Sequence, residues 1–262
     1  MSRGLFVLNG LQTENSTRRS LRPFSQFFLE PFARDRREEL DPESSSVSTG
    51  AGLGIQDARN ARELRGGFSL YVPESYQGQA WPLVVALHGG SGHGADFLWT
   101  WLREARSRQF LLLAPTAQGS TWSFQGPDVD AYALSSMLAF VQERWKVDSD
   151  RILLTGLSDG ATYSLLCGLQ EGMPFTAMAP VSGVLHPANF ENGNLDRAAG
   201  RRIYLVHGVL DWMFPIESAR VAAEQLASRG ADLVFREIDD LSHTYPREQN
   251  AKILDWFLAS SG

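Results

Sequence analysis

Arg151-Ile152-Leu153-Leu154-Thr155-Gly156-Leu157-Ser158-Asp159-Gly160-Ala161 is the stretch that decides how the rest of the chain is read. The short apolar run Arg151 to Thr155 predicts a buried strand, and Ala161 to Leu169 predicts a helix directly after it. Between them lies Gly156-x-Ser158-x-Gly160. A glycine at each end lets two backbone segments approach where a Cβ would clash, and a serine in such a strand-to-helix turn projects its hydroxyl clear of the sheet. The helix start behind it offers free N–H groups that favour developing negative charge. A five-residue pattern of this kind also arises by chance in loops, so partners elsewhere must decide whether Ser158 is a nucleophile.

Working outward, strands are predicted near Leu53 to Gln56, at Phe68 to Val72 before Pro73, at Pro82 to Leu87 and at Phe110 to Ala114 before Pro115. A helix over about Ala95 to Arg108 separates the last two. A long helix with an acidic start, about Asp130 to Trp145, leads to the Arg151 strand. Further strands are predicted at Thr176 to Val181, Ile203 to Val206 and Leu233 to Ile238, and helices at about Ile216 to Arg229 and Glu248 to Leu258. Alternating strands and helices with glycine-rich turns imply an α/β domain whose mostly parallel sheet is covered on both faces. In such sheets functional groups collect at the C-terminal strand ends.

Residues 1–48 differ in character. Ser44-Ser45-Ser46, clustered arginines and Phe24, Phe27, Phe28 and Phe32 suggest an extension that is partly disordered or carries one short docked helix, ahead of a domain over 49–262. Gly50-Ala51-Gly52-Leu53-Gly54 lacks the spacing and preceding strand of a dinucleotide loop and reads as a turn, so no cofactor is expected. The formal net charge of -6 argues against a nucleic-acid partner. No apolar run reaches the roughly 18 residues that span a bilayer. Cys167 is the single cysteine, so no intrachain disulfide can form; with no secretory signal evident, a cytoplasmic location is expected.

For a serine to attack a carbonyl near neutral pH it needs a histidine base and a carboxylate to orient that base. Of the five histidines, His243 is the candidate base, because Leu241-Ser242-His243 forms a loop between the last strand and the last helix, at the same sheet edge as Ser158. His88 and His207 each precede glycine after a strand and read as turn residues bonded to backbone; His93 and His186 are loop residues. No histidine pair has metal-site spacing, and no metal is expected. Asp211, after the strand and turn Ile203 to Leu210, is the candidate acid, ranked above Asp239 and Asp240, which would have to fold back. The N–H donors for an oxyanion are expected from Asp159, the residue after the nucleophile, and from Gly90 in the turn after Leu87-His88-Gly89.

These residues, in the order Ser, Asp, His, resemble the α/β-hydrolase superfamily, most closely its phospholipase/carboxylesterase branch, with polyhydroxybutyrate-depolymerase and feruloyl-esterase-like proteins nearby. The resemblance rests on Leu87 to Gly90, Asp148 to Gly160, His207 to Asp211 and Ser242-His243, and runs from about Gly50 to the C-terminus. It implies an α/β-hydrolase fold and a serine esterase that needs no cofactor. Asp159 departs from the commoner Gly-x-Ser-Met-Gly, and its carboxylate is expected to disfavour anionic acyl groups.

The segment between the strands near Gly183 and Arg202 leaves no room for a large cap domain. Short to medium acyl or aryl esters are therefore expected rather than long-chain triglycerides. Trp99, Trp122, Phe124, Trp212 and Phe214 are candidates for lining the substrate pocket. The expected partner is a small-molecule ester, with a homodimer compatible with the sequence. A thioesterase uses the same three side chains, and a non-catalytic binding protein on the same fold is the reading from another class.

Overall fold

The computed structural model describes residues 52–259; the expectations for 1–48 and for the start of the Gly50 turn lie outside them. Eight strands form one sheet: β1 Gly54–Ala58, β2 Phe68–Val72, β3 Trp81–Leu87, β4 Leu111–Pro115, β5 Val147–Leu157, β6 Ala177–Val181, β7 Arg202–Gly208 and β8 Asp232–Ile238. Their order is β1-β2-β4-β3-β5-β6-β7-β8. β1 and β2 run antiparallel to their neighbours, and the remaining pairings are parallel. The C-terminal ends of β3, β5, β6, β7 and β8 therefore open at one edge.

Alternation along each strand divides the core. Leu83, Val85 and Leu87 of β3, with Ile152 and Leu154 of β5, pack toward helices α3 Val129–Arg144, α4 Asp159–Gly168 and α6 Ile216–Ser228. Val84, Ala86 and Leu153 face the opposite side, against α2 Leu102–Arg108 and α7 Gln249–Leu258. The central strands are buried on both faces, which is why they read as unbroken apolar runs.

The helix expected over Ala95 to Arg108 is broken. It comprises α1 Gly94–Phe97, a 3-10 turn Leu98–Thr100, and α2 after Trp101. Phe97, Leu98, Trp99, Trp101 and Leu102 are all buried. A regular α-helix turns about 100° per residue and cannot send five such side chains to one side; the tighter turn redirects them. Similarly, the acidic start of α3 is not a solvent-facing charge pair. Asp128 caps the helix, accepting from Ala131 N–H at 2.9 Å, while Asp130 is 2 % exposed and holds the 116–124 loop through Gln118 N–H and Ser123 Oγ, both at 2.8 Å.

Residues 182–201, between β6 and β7, hold a four-residue helix, α5 Ala188–Glu191, and a 3-10 turn, Asn194–Ala198. Asn194 donates to Leu166 O at 2.8 Å, which ties the turn to α4. Among the described residues no cap domain rises over the strand ends, and no helix is long and apolar enough to cross a membrane.

The turn from β5 into α4 is where the backbone packs most closely. A Cβ on Gly160 would lie 2.4 Å from Leu87 O, and one on Gly156 would lie 2.5 Å from the carbonyl carbon of Gly160. Ser158 has φ 55 and ψ -117, a conformation that L residues rarely adopt. Replacing Gly160 with Ala is expected to destabilise the protein by about 3 kcal/mol in denaturant unfolding, because rigid backbone must shift on both sides. Ser158→Gly is expected to be about 1 kcal/mol more stable than Ser158→Ala, since only glycine relaxes at that φ; equal midpoints would show that the turn stores no strain.

Candidate active site

Three loops at the common edge bring their side chains together. Ser158 follows β5, and its N–H donates to Val181 O at 3.0 Å, tying the elbow to β6. Asp211 lies three residues past the end of β7, and His243 lies in the loop between β8 and α7. The Asp211 and His243 loops are joined by backbone: Val209 N–H donates to Ile238 O at 2.9 Å and Leu210 N–H to Leu241 O at 3.0 Å. A Cβ on Gly208 would lie 2.2 Å from Leu241 O, so glycine permits this contact.

The side chains form a continuous relay. His243 Nδ1–H donates to Asp211, 2.8 Å from Oδ2 and 3.0 Å from Oδ1, and its Nε2 accepts from Ser158 Oγ at 2.9 Å. The hydrogen-bond network sets this tautomer. Burial makes the relay directional: the Asp211 side chain is 0 % exposed and that of His243 is 10 %. A carboxylate removed from water needs donors. Asp211 Oδ1 also accepts from Phe214 N–H at 2.8 Å and Met213 N–H at 3.0 Å. Asp239 and Asp240 take no part in these bonds.

His207 is a contributor that spacing alone did not reveal. Fully buried, it donates from Nε2 to Phe214 O at 2.8 Å and stands 3.4 Å from Asp211 Oδ2. It fixes the backbone that supplies the Phe214 N–H to Asp211. The other histidines are structural. His88 donates from Nδ1 to Gly89 O at 2.7 Å and accepts from Ala117 N–H at 3.1 Å. His93 caps α1, and His186 accepts from Ala188 N–H at 3.2 Å.

The turn after β3 lies over the elbow. A Cβ on Gly89 would come 3.5 Å from Ser158 Cβ, and one on Gly90 would come 2.5 Å from Asp159 Oδ2. The turn is held by the 116–124 loop: Trp122 Nε1 donates to His88 O at 2.8 Å, and Ser91 N–H donates to Ser120 O at 2.7 Å. Arg65 ties both segments, donating to Gly92 O and Gly119 O, each at 2.7 Å. Asp159 is the first residue of α4, where N–H groups have no helical acceptor.

The five candidate pocket aromatics separate into two groups. Trp212, 73 % exposed, and the half-buried Phe214 approach His243 edge-on, with ring centres 6.3 and 5.3 Å away. Phe124 stacks on His186 at 5.3 Å. Trp99 and Trp122 do not line an open pocket. Trp99 belongs to the core with Phe97 and Tyr245, and Trp122 stacks on Tyr163 at 5.3 Å while its indole N–H is used on His88 O. Large rings in this sequence pattern were needed for core volume and for bracing the turn. Cys167 is buried in α4, and burial pushes its thiol pKa up, which disfavours the reactive thiolate. Among the described residues no group of three or more His, Cys, Asp or Glu side chains could hold a metal ion.

Comparison with known proteins agrees with this architecture. Residues 131–260 match the Phospholipase/Carboxylesterase family. No curated protein matches the chain. Among solved structures, esterase PE8 is 22% identical with a TM-score of 0.58, over 71% of this chain and 95% of that one. Zea mays acyl-protein thioesterase 2 is 18% identical, TM-score 0.56, over 72% and 96%. The Staphylococcus aureus fluorophosphonate-binding serine hydrolase FphF is 14% identical, TM-score 0.64, over 80% and 100%. At these identities the structures establish the fold. The eight-stranded, mostly parallel sheet is that of the α/β-hydrolase fold, and residues 131–260 of this chain belong to its phospholipase/carboxylesterase branch.

Proposed function

We propose that this protein hydrolyses carboxylic esters of short to medium acyl or aryl type through a covalent acyl-enzyme on Ser158. The observation that carries the reading is the unbroken relay from the buried Asp211 through His243 to Ser158 Oγ, with hydrogen bonds of 2.8 and 2.9 Å. A serine hydroxyl by itself is a poor nucleophile. As Ser158 Oγ attacks the ester carbonyl, its proton passes to His243 Nε2. Asp211 stabilises the resulting imidazolium and, bonded to Nδ1–H, keeps Nε2 aimed at the serine. The carbonyl oxygen, now negative, is assigned to the N–H groups of Gly90 and Asp159; one donor of this kind is worth roughly 3 kcal/mol in comparable hydrolases.

His243 then gives its proton to the departing alcohol. Water enters, His243 removes a proton from it, and attack on the acyl carbonyl releases the acid and restores Ser158. The serine proton leaves with the alcohol and His243 passes one taken from water back to Ser158 Oγ, so both side chains regain their starting protonation states and the cycle needs no cofactor.

Two features support the substrate range. The uncapped strand ends leave the site open to soluble esters, and the exposed Trp212 ring beside His243 offers an apolar face for an acyl or aryl group. Thioester hydrolysis draws on the same relay, and the structural likeness to an acyl-protein thioesterase supports testing it.

Ser158→Ala and His243→Ala are each expected to abolish hydrolysis of p-nitrophenyl butyrate while leaving the circular-dichroism spectrum unchanged; activity at the original level in either variant would overturn the assignment. Asp211→Asn should lower kcat by about four orders of magnitude, because the imidazole loses the partner that fixes its tautomer. Asp240→Asn should change it little, and the reverse pattern would move the acid to Asp240. An acetyl-thioester assayed beside its oxygen ester, by kcat/KM, separates the two ester classes.

A further inference from the structure

We propose that Asp159 is a specificity-determining residue: its carboxylate, pinned beside the oxyanion turn by Thr121, selects neutral or cationic acyl groups over anionic ones. This rests on the serine-hydrolase reading above and names the substrate class more narrowly. Thr121 Oγ1 donates to Asp159 Oδ2 at 2.5 Å, joining the first residue of α4 to the 116–124 loop. The same oxygen stands against Gly90, where any Cβ would meet it at 2.5 Å. Asp159 is half-buried, so the group is neither swallowed by the core nor free to swing into bulk water.

The nearest donor to this carboxylate is a neutral hydroxyl, which fixes its position and leaves its charge uncompensated. Among the described residues it forms no ion pair with Lys, Arg or His. Arg65 donates to Gly92 O and Gly119 O. Asp130 is buried and bonded to Gln118 N–H and Ser123 Oγ, and Asp211 is buried on His243, Met213 and Phe214. Asp159 is therefore the charge that an entering ester meets next to the Gly90 and Asp159 N–H groups. A second negative charge on the acyl chain raises the free energy of the complex and of the transition state through repulsion that solvent at this half-buried position screens only in part, and a positive one lowers it.

The carboxylate also bears on position 90, since a Cβ there would meet Asp159 Oδ2 and force that side chain to shift.

The test uses three p-nitrophenyl esters of equal leaving group and similar chain length: hexanoate (neutral), the adipate monoester (anionic) and 6-aminohexanoate (cationic). For the native protein, kcat/KM on the adipate monoester is expected to be about tenfold below that on hexanoate, with 6-aminohexanoate at or above hexanoate, and the gap should narrow in 0.5 M salt as charges are screened. Asp159→Asn keeps an oxygen for Thr121 and removes the charge; it should bring the hexanoate to adipate ratio to within about threefold. Asp159→Ser serves the same purpose if the asparagine variant fails to fold. Thr121→Val, which keeps the charge but releases its anchor, should leave a ratio between those of the native protein and of Asp159→Asn.

An unchanged ratio in Asp159→Asn or no discrimination in the native protein would each overturn the proposal, and a fully native ratio in Thr121→Val would overturn the anchoring role given to Thr121. Fluorophosphonate labelling of Ser158 distinguishes the two levels. A native protein that is neither labelled nor active refutes the hydrolase reading itself, whereas a labelled, active protein with an unaltered ratio refutes only the role of Asp159.

Discussion

The backbone of the β5 to α4 turn lies against the end of β3, and the site depends on that approach. With no Cβ on Gly160, α4 begins close enough to the carbonyls of Leu87 and His88 for the Gly89-Gly90 turn to lie over Ser158. The same compression holds Ser158 at a positive φ. A strained conformation persists only where the surroundings over-determine it. Here the turn is bonded to β6 through Ser158 N–H and closed on itself through Thr162 N–H to Ser158 O at 2.9 Å. The position of Ser158 is thus a property of the packed sheet and helix, and its hydroxyl bonds His243 Nε2 from there.

The second requirement is electrostatic. Carboxylates near the site accept donors from their own loop and from neighbouring ones, and those bonds assemble the edge. Asp211 gathers Met213, Phe214 and His243; Asp130 gathers Gln118 and Ser123; Asp159 gathers Thr121. Buried or half-buried charges are costly unless so bonded. His88 and His207 also hold backbone, His88 with both ring nitrogens and His207 with Nε2. Function at this edge and stability of its loops thus share the same bonds, so that a change in one carboxylate is felt in both.

Openness is the third property. With the 182–201 segment folded down onto α4 by Asn194, the strand ends face solvent, and Trp212 stands exposed beside His243. On the reading proposed above, the aromatic pair Trp212 and Phe214 would meet apolar groups and Asp159 charged ones.

Much of this was legible in the amino-acid sequence. Apolar runs bounded by Gly and Pro located the strands, because a strand buried on both faces must be continuously apolar. The glycines of the elbow and the positions of His243 and Asp211 after strands pointed to one edge, because parallel strands all end on the same side. What the sequence could not decide was whatever depends on contacts between loops. The break at Leu98 to Thr100 follows from where five large side chains must go, and Trp122 became a brace because Tyr163 and His88 arrived on either side of it. Thr121 is 38 residues from Asp159, and only the tertiary structure sets its hydroxyl against that carboxylate. Local pattern determined the elements and the residue types at their ends; three-dimensional packing decided which of those residues share a hydrogen bond, since distance across loops leaves no periodic trace in the chain.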